Sequence, residues 1–98
     1  MEQLLEMPAA GELELVEVLH ALSDPIRLQI VQELASSGEQ ACGAMPLPVS
    51  ASTRSHHLRI LREAGVTVTR VEGTQRLVSL RRDDLQSRFP GLLDAVLG

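Results

Sequence analysis

Ser50-Ala-Ser-Thr-Arg-Ser-His-His-Leu-Arg-Ile-Leu-Arg-Glu-Ala-Gly65 reads as one helix with two unlike faces. Ser50 is a good N-cap, because its hydroxyl can accept from a free amide of the first turn. Gly65 is a natural stop. Between them, Leu58, Ile60, Leu61 and Ala64 form an inward apolar face. Ser52, Ser55, Arg59 and Arg62 recur at i, i+3, i+7 and i+10 and form an outward face. A helix whose exposed side carries hydroxyls and guanidiniums suits the major groove of DNA, where such groups bond base edges and phosphates.

Working outward from this helix, Ala41–Met45 has room only for a short helical turn, because Pro46 and Pro48 follow. Upstream, Ser23-Asp24-Pro25 opens a helix with a capping side chain and a proline in its first turn. That helix packs through Ile26, Ile30, Val31 and Leu34 and ends at Ser36-Ser37-Gly38. Before it, Leu13, Leu15, Val16, Val18, Leu19 and Leu22 hold helical spacing but with too many apolar positions for one stripe. A helix apolar around much of its circumference needs cover on two sides, its own core and a partner. Residues 1–11, with Pro8 and Gly11, read as a loosely ordered arm.

Downstream, Val66–Val71 alternates valine with threonine, the pattern of a half-buried strand. Glu72-Gly73-Thr74 is a turn, and Gln75–Leu80 returns as a second strand. Asp83–Phe89 reads as a short helix, which Pro90 breaks before a last helical segment through Leu97. The expected fold is mainly α with a small β-hairpin, a winged helix-turn-helix of about five helices and a two-stranded wing in one domain over residues 1–98.

Charge agrees with this division. The 98 residues carry a net charge of −4, which taken whole argues against a nucleic-acid partner. Residues 1–50 hold eight acids and one base, whereas residues 51–82 hold seven arginines and two acids, a local net of +5. Positive charge confined to one stretch is the electrostatic footprint of a phosphate-binding surface. Phe89 is the one aromatic residue, so a base-stacking surface for single strands is excluded. One cysteine, Cys42, cannot form an internal disulfide, which fits a reducing cytoplasm. No apolar run has membrane-spanning length, so no membrane partner is expected. An enzyme is not supported: no Ser/His/Asp arrangement, phosphate-cradling glycine loop or pocket-forming acid pair is present.

At this point the residues resemble the ArsR/SmtB family of bacterial regulators. Ala21-Leu-Ser-Asp-Pro-Ile-Arg-Leu-Gln-Ile-Val31 is similar to that family's opening signature. Ser52-Thr-Arg-Ser-His-His-Leu-Arg-Ile-Leu-Arg-Glu-Ala-Gly-Val66 is similar to its recognition helix, and Arg70-Val-Glu-Gly-Thr-Gln-Arg-Leu77 to its wing. The match runs from about Leu19 to Leu85. The resemblance implies a homodimer built by the first and last helices. It also implies binding to an inverted repeat in double-stranded operator DNA, usually as a repressor released by a metal or another signal.

On this reading the DNA contacts are Ser52, Thr53, Arg54, Ser55, His56, Arg59 and Arg62 on the helix, with Arg70 and Arg76 on the wing. The dimer surface is Leu15, Val18 and Leu19 with Leu92, Leu93 and Val96. Three features depart from the family pattern. Cys42 falls between the positions of the Cys-x-Cys pair that many metal-sensing members carry, which here are Ala41 and Gly43. The last helix, Arg82–Leu97, lacks the histidines of another sensor class. Arg54 stands where an apolar residue is usual, its stem either half-buried or its charge turned to phosphate.

No cofactor is needed for folding on this reading. A Ni(II) or Zn(II) effector would find donors in His20 with Glu17 or Asp94, with Glu12, Glu14 and Asp24 also near in sequence. The alternative for His20 is an ordinary interfacial or surface histidine. His56 and His57 project about 100° apart on a helix and cannot readily share a metal, so His57 is placed at the edge of the core. Cys42 is a small buried hydrophobe or a redox-sensitive thiol. The alternative function is a winged helix that contacts protein rather than DNA, docking through its apolar first and last segments.

Overall fold

The computed structural model describes residues 3–98, so the first two positions of the expected loose arm lie outside the described residues. Among the described residues the chain forms five α-helices and one four-stranded antiparallel sheet. Strand β1 is Gln3–Leu4; helix α1 is Leu15–Leu22; helix α2 is Pro25–Ser37; strand β2 is Gln40–Ala41. Helix α3 is Ala51–Glu63; strands β3 and β4 are Thr67–Glu72 and Gln75–Leu80; helices α4 and α5 are Arg82–Arg88 and Leu92–Leu97.

The helix starts form as the sequence indicates. Asp24 Oδ2 accepts from the amides of Ile26 at 2.9 Å and Arg27 at 3.1 Å, with Pro25 in the first turn of α2. Ser50 Oγ accepts from the Thr53 amide at 3.2 Å and caps α3. Both helices thereby satisfy amides that have no partner inside the helix. Gly65 follows α3 with φ +86°, and a Cβ built there would lie 2.0 Å from Leu13 Cδ2. Only glycine lets Leu13 approach this closely, and only glycine adopts that φ without strain.

Two expectations are corrected toward the N-terminal end of the chain. Helix α1 begins at Leu15, and Leu13 is a buried core residue in the segment before it, held against Gly65. The N-terminal arm is not loose from Gln3 onward. Gln3 and Leu4 pair with Val71 and Arg70, and the Leu5 amide donates to the Thr69 carbonyl at 2.9 Å. Arg81 Nη1 donates to the Pro8 carbonyl at 2.7 Å and Arg88 Nε to that of Leu13 at 3.0 Å, which fasten the rest of the arm. Free strand edges attract partners, and two edge residues are enough to use this one.

The expected two-stranded wing forms from β3 and β4, and two short strands extend its sheet. Its order is β1-β3-β4-β2, with Gln40 and Ala41 paired to Val78 and Leu77. On β3 the threonines face the core: Thr67 and Thr69 are fully buried, and Val68 is half-buried. Val66, just before the strand, is buried in the core with Val78 of β4 and with Ile30, Leu61 and Leu85 from three helices. The Thr67 hydroxyl makes no hydrogen bond, so this threonine is in the core for its methyl and its β-branch.

Candidate nucleic-acid interface

Helix α3 and strand β4 meet along a shallow cleft of about 350 Å³. Ser52, Ser55, His56, Arg59 and Arg62 line it from the helix, and Arg76 lines it from the wing. The four α3 positions read as outward-facing therefore do share one face, and His56 joins them. Leu58 and Leu61 fix that face outward by burying the opposite side of α3.

The arginines of the basic stretch divide into two groups. Arg59 is exposed and meets Glu63 at 3.6 Å, one helical turn on, a surface pair that contributes little. Arg62 is half-buried, and its Nε is shielded without a hydrogen-bond partner. Arg76 is exposed and makes no ion pair among the described residues. Arg54 is half-buried, and its charge is felt at the Cys42 thiol along with those of Arg76 and Arg62. Arg59, Arg62 and Arg76 line the cleft, and Arg54 stands on the same helix.

The second group is internal. Arg70, expected on the DNA side of the wing, is clasped by Glu39: Nε donates to Oε2 at 2.9 Å and Nη2 to Oε1 at 2.7 Å. Glu72 holds Nη1 of the same guanidinium. The bidentate bond ties the loop before β2 to the wing, and it holds the Glu39 carboxyl below the usual range. Arg81 is buried and paired with Asp84 at 3.0 Å. Arg82 reaches the Ala35 carbonyl at 3.3 Å. Charge counting alone assigns these three to DNA; the fold uses them as fasteners.

Comparison with known proteins agrees with the geometry. Residues 22–71 match the family model described as a helix-turn-helix domain. The HTH-type transcriptional regulator YceK of Bacillus subtilis is 39% identical over 83 residues, spanning 82% of this chain and 83% of that one. The chain belongs to the ArsR-type winged helix-turn-helix regulators. A cadmium resistance transcriptional regulatory protein, a CadC homologue of Staphylococcus aureus, is 38% identical over 81% of this chain and 65% of its own length. The crystal structure of a possible transcriptional regulator for arsenical resistance is 36% identical, with a TM-score of 0.67 over 81% of this chain and 82% of that chain. As a regulator of this family the protein binds DNA and is not an enzyme.

The remaining site expectations fare unevenly in the regulator. Ser52, Thr53 and Ser55 are exposed on the first turns of α3, although Thr53 also accepts from the Ser50 hydroxyl at 3.0 Å. Of the residues expected on the dimer surface, Val18 and Leu93 are fully buried in the chain's own core and have no surface to offer. Leu15 and Leu19 are 45% and 46% exposed, Val16 between them is 74% exposed, and Leu92 and Val96 are half-buried. In the sequence Val16 stands out only as part of the helical spacing, yet it is the most exposed large apolar side chain described.

The metal donors are not gathered. No group of three His, Cys, Asp or Glu side chains able to hold an ion exists among the described residues, so His20, Glu17 and Asp94 do not meet in one chain. Cys42 is no better placed. Burial pushes its thiol pKa up, and Arg76, Arg54 and Arg62 only partly offset this. A protonated thiol among cations is a poor ligand for another cation, so the residues of one chain do not fit a metal.

His57 sits at the edge of the core as expected, but with a partner that the sequence did not suggest. Its Nδ1 lies 3.2 Å from Arg27 Nη1 and 3.9 Å from Asp24 Oδ2. Arg27 was legible only as the one base in an acidic half. The cue available was its place two residues after Pro25, in the first turn of α2 and close to the end of α1.

No helix among the described residues is long and apolar enough to cross a membrane.

Proposed function

We propose that residues 3–98 act as one DNA-binding unit that works in the cytoplasm as a repressor-type homodimer on an inverted repeat. The observation that carries this is the cleft shared by Ser52, Ser55, His56, Arg59 and Arg62 of α3 and Arg76 of the wing. A helix face of hydroxyls and guanidiniums beside a wing cation can enter a major groove and hold the flanking phosphate together. The exposed Leu15, Val16 and Leu19 of α1, with Leu92 and Val96 of α5, supply the apolar surface for a second copy. Exposed apolar side chains of this size on a small domain are well covered by a partner, and a two-fold dimer would present two copies of α3 to two half-sites.

The test is selection of duplexes from a random-sequence pool, followed by affinity measurement across salt concentrations. Recovery of a palindromic site, with affinity falling steeply as salt rises, is the expected result. A flat salt response, or binding untouched by Arg59→Ala and Arg62→Ala, would favour a protein-contact role instead.

Metal-responsive regulation is suggested by the cadmium and arsenical names of the relatives. Among the described residues one chain holds no three-donor set, so a Ni(II) or Zn(II) response would draw on both copies, with His20 and Glu17 or Asp94 at their junction. Titrating the dimer with Ni(II), Zn(II) and Co(II) while following operator binding tests this. An unchanged DNA affinity in all three removes the metal from the reading.

A further inference from the structure

Arg27 of α2 is buried, 8% exposed, and lies on the far side of α3 from the DNA cleft. Its guanidinium bridges three helices. Nε donates to the Ala21 carbonyl at 2.6 Å and Nη2 to the His20 carbonyl at 3.4 Å, both in the last turn of α1. Nη1 lies 3.2 Å from His57 Nδ1 on α3. A guanidinium only donates, so Nδ1 is the acceptor and the ring proton sits on Nε2. The carboxylate oxygen nearest that nitrogen is Asp24 Oδ2, the oxygen that caps α2. The end of α1, the start of α2 and the middle of α3 are thus tied at one point.

His57 is well placed to govern the DNA face without touching DNA. It lies between His56, whose ring faces the cleft, and Leu58, which is buried. The rotation of α3 about its axis at this turn sets where Ser55, His56 and Arg59 point. Stability gives little reason for the arrangement, since a buried ion replaced together with its partner by apolar groups is often no less stable. Orientation does give a reason, because hydrogen bonds have direction and apolar packing has far less.

We propose that Arg27 and His57 are positioning residues, whose hydrogen bond fixes the recognition helix against the end of α1. DNA affinity depends on that bond beyond any effect of the bond on stability. The proposal rests on the DNA-binding reading above.

Three variants test it on the duplex selected by the wild-type protein: His57→Leu, His57→Asn and, as a contact control, Arg59→Ala. His57→Leu removes the acceptor, whereas the Oδ1 of His57→Asn can take the place of Nδ1. His57→Leu is expected to stay folded by circular dichroism and thermal melting yet bind roughly tenfold or more weakly, because a loosened supporting shell misplaces the contacts it holds. Its salt slope is expected to match wild type, whereas Arg59→Ala lowers the slope by about 0.9 if it loses one phosphate. His57→Asn is expected to restore most of the affinity. If His57→Leu does not fold, the Arg27→Met/His57→Leu double variant, which removes both halves of the pair, carries the same expectation. Wild-type affinity in the leucine variant, equal weakness of the leucine and asparagine variants, or a reduced salt slope in either overturns the proposal alone. A wild-type protein that selects no duplex overturns the DNA-binding reading and this proposal with it.

Discussion

Arg70 and Arg76 stand on the same small sheet, six residues apart, and do different work. Arg76 is exposed beside α3, whereas Arg70 is spent on Glu39 and Glu72. Arg76→Ala is therefore expected to weaken duplex binding roughly tenfold near physiological salt and to lower the salt slope by about 0.9. Arg70→Ala should leave the slope unchanged and lower the melting temperature instead, since it opens the clasp between the wing and the loop before β2. Fluorescence anisotropy at several salt concentrations, with parallel melts, separates the two. Cys42 also acquires a definite character. With burial pushing its thiol pKa up, it should react slowly with iodoacetamide at neutral pH and faster as pH rises or the chain unfolds. Rapid alkylation of the native protein at neutral pH would contradict that placement.

At the scale of elements, the junction between α3 and β3 is the least forgiving point. Gly65→Ala meets Leu13 at a forbidden distance and at a left-handed φ. The backbone term is about 1–2 kcal/mol and the overpacking about 1–3 kcal/mol. A loss of about 2–5 kcal/mol is expected by chemical denaturation, whereas Gly73→Ala has open space at its Cβ and bears only the backbone term. The element boundaries show what sequence patterning can resolve. Ser50, Asp24 and Gly65 mark helix ends through local hydrogen bonding and φ, so they could be read directly. Strands β1 and β2 have two residues each and no periodicity, and their partners lie far away along the chain. Nothing local could disclose them.

For the whole molecule, two carboxylates make stability depend on acid pH. Asp24 is held below its usual pKa chiefly by the Arg27 amide, and Glu39 by the Arg70 side chain. A carboxyl depressed by folding adds stability that is fully present above the unfolded value, about 4. That stability is lost as pH falls through the lower folded value. Melting temperature should therefore hold from neutrality down to mildly acidic pH and fall below it. Glu39→Gln should make the fall shallower, and an unaltered profile would argue against the Arg70 clasp. The proposed dimer is tested at the same scale. Val16→Glu places a charge on the most exposed apolar position of α1, next to Glu17. Like charges across a two-fold interface cost several kcal/mol, so roughly hundredfold weaker dimerisation is expected, with little change in monomer folding. Sedimentation across a range of concentrations reads it.

The sequence by itself determined the helix order, the capped recognition helix, the hairpin and the family, because each is encoded by local signals: caps, breakers and apolar spacing within one or two turns. It also determined that the positive charge lies in one half of the chain. Only the tertiary structure decided which arginines are tied to distant parts of the chain and which stay exposed. Arg70 and Arg81 differ from Arg59 and Arg76 by their neighbours alone, and those neighbours, Glu39 and Pro8 among them, arrive from distant parts of the chain. The same holds for Val18 and Leu93, which are core residues because helices pack over them. It holds equally for Arg27 and His57, separated by thirty positions and joined by one hydrogen bond. Side-chain identity set the possible partners, and long-range packing chose among them.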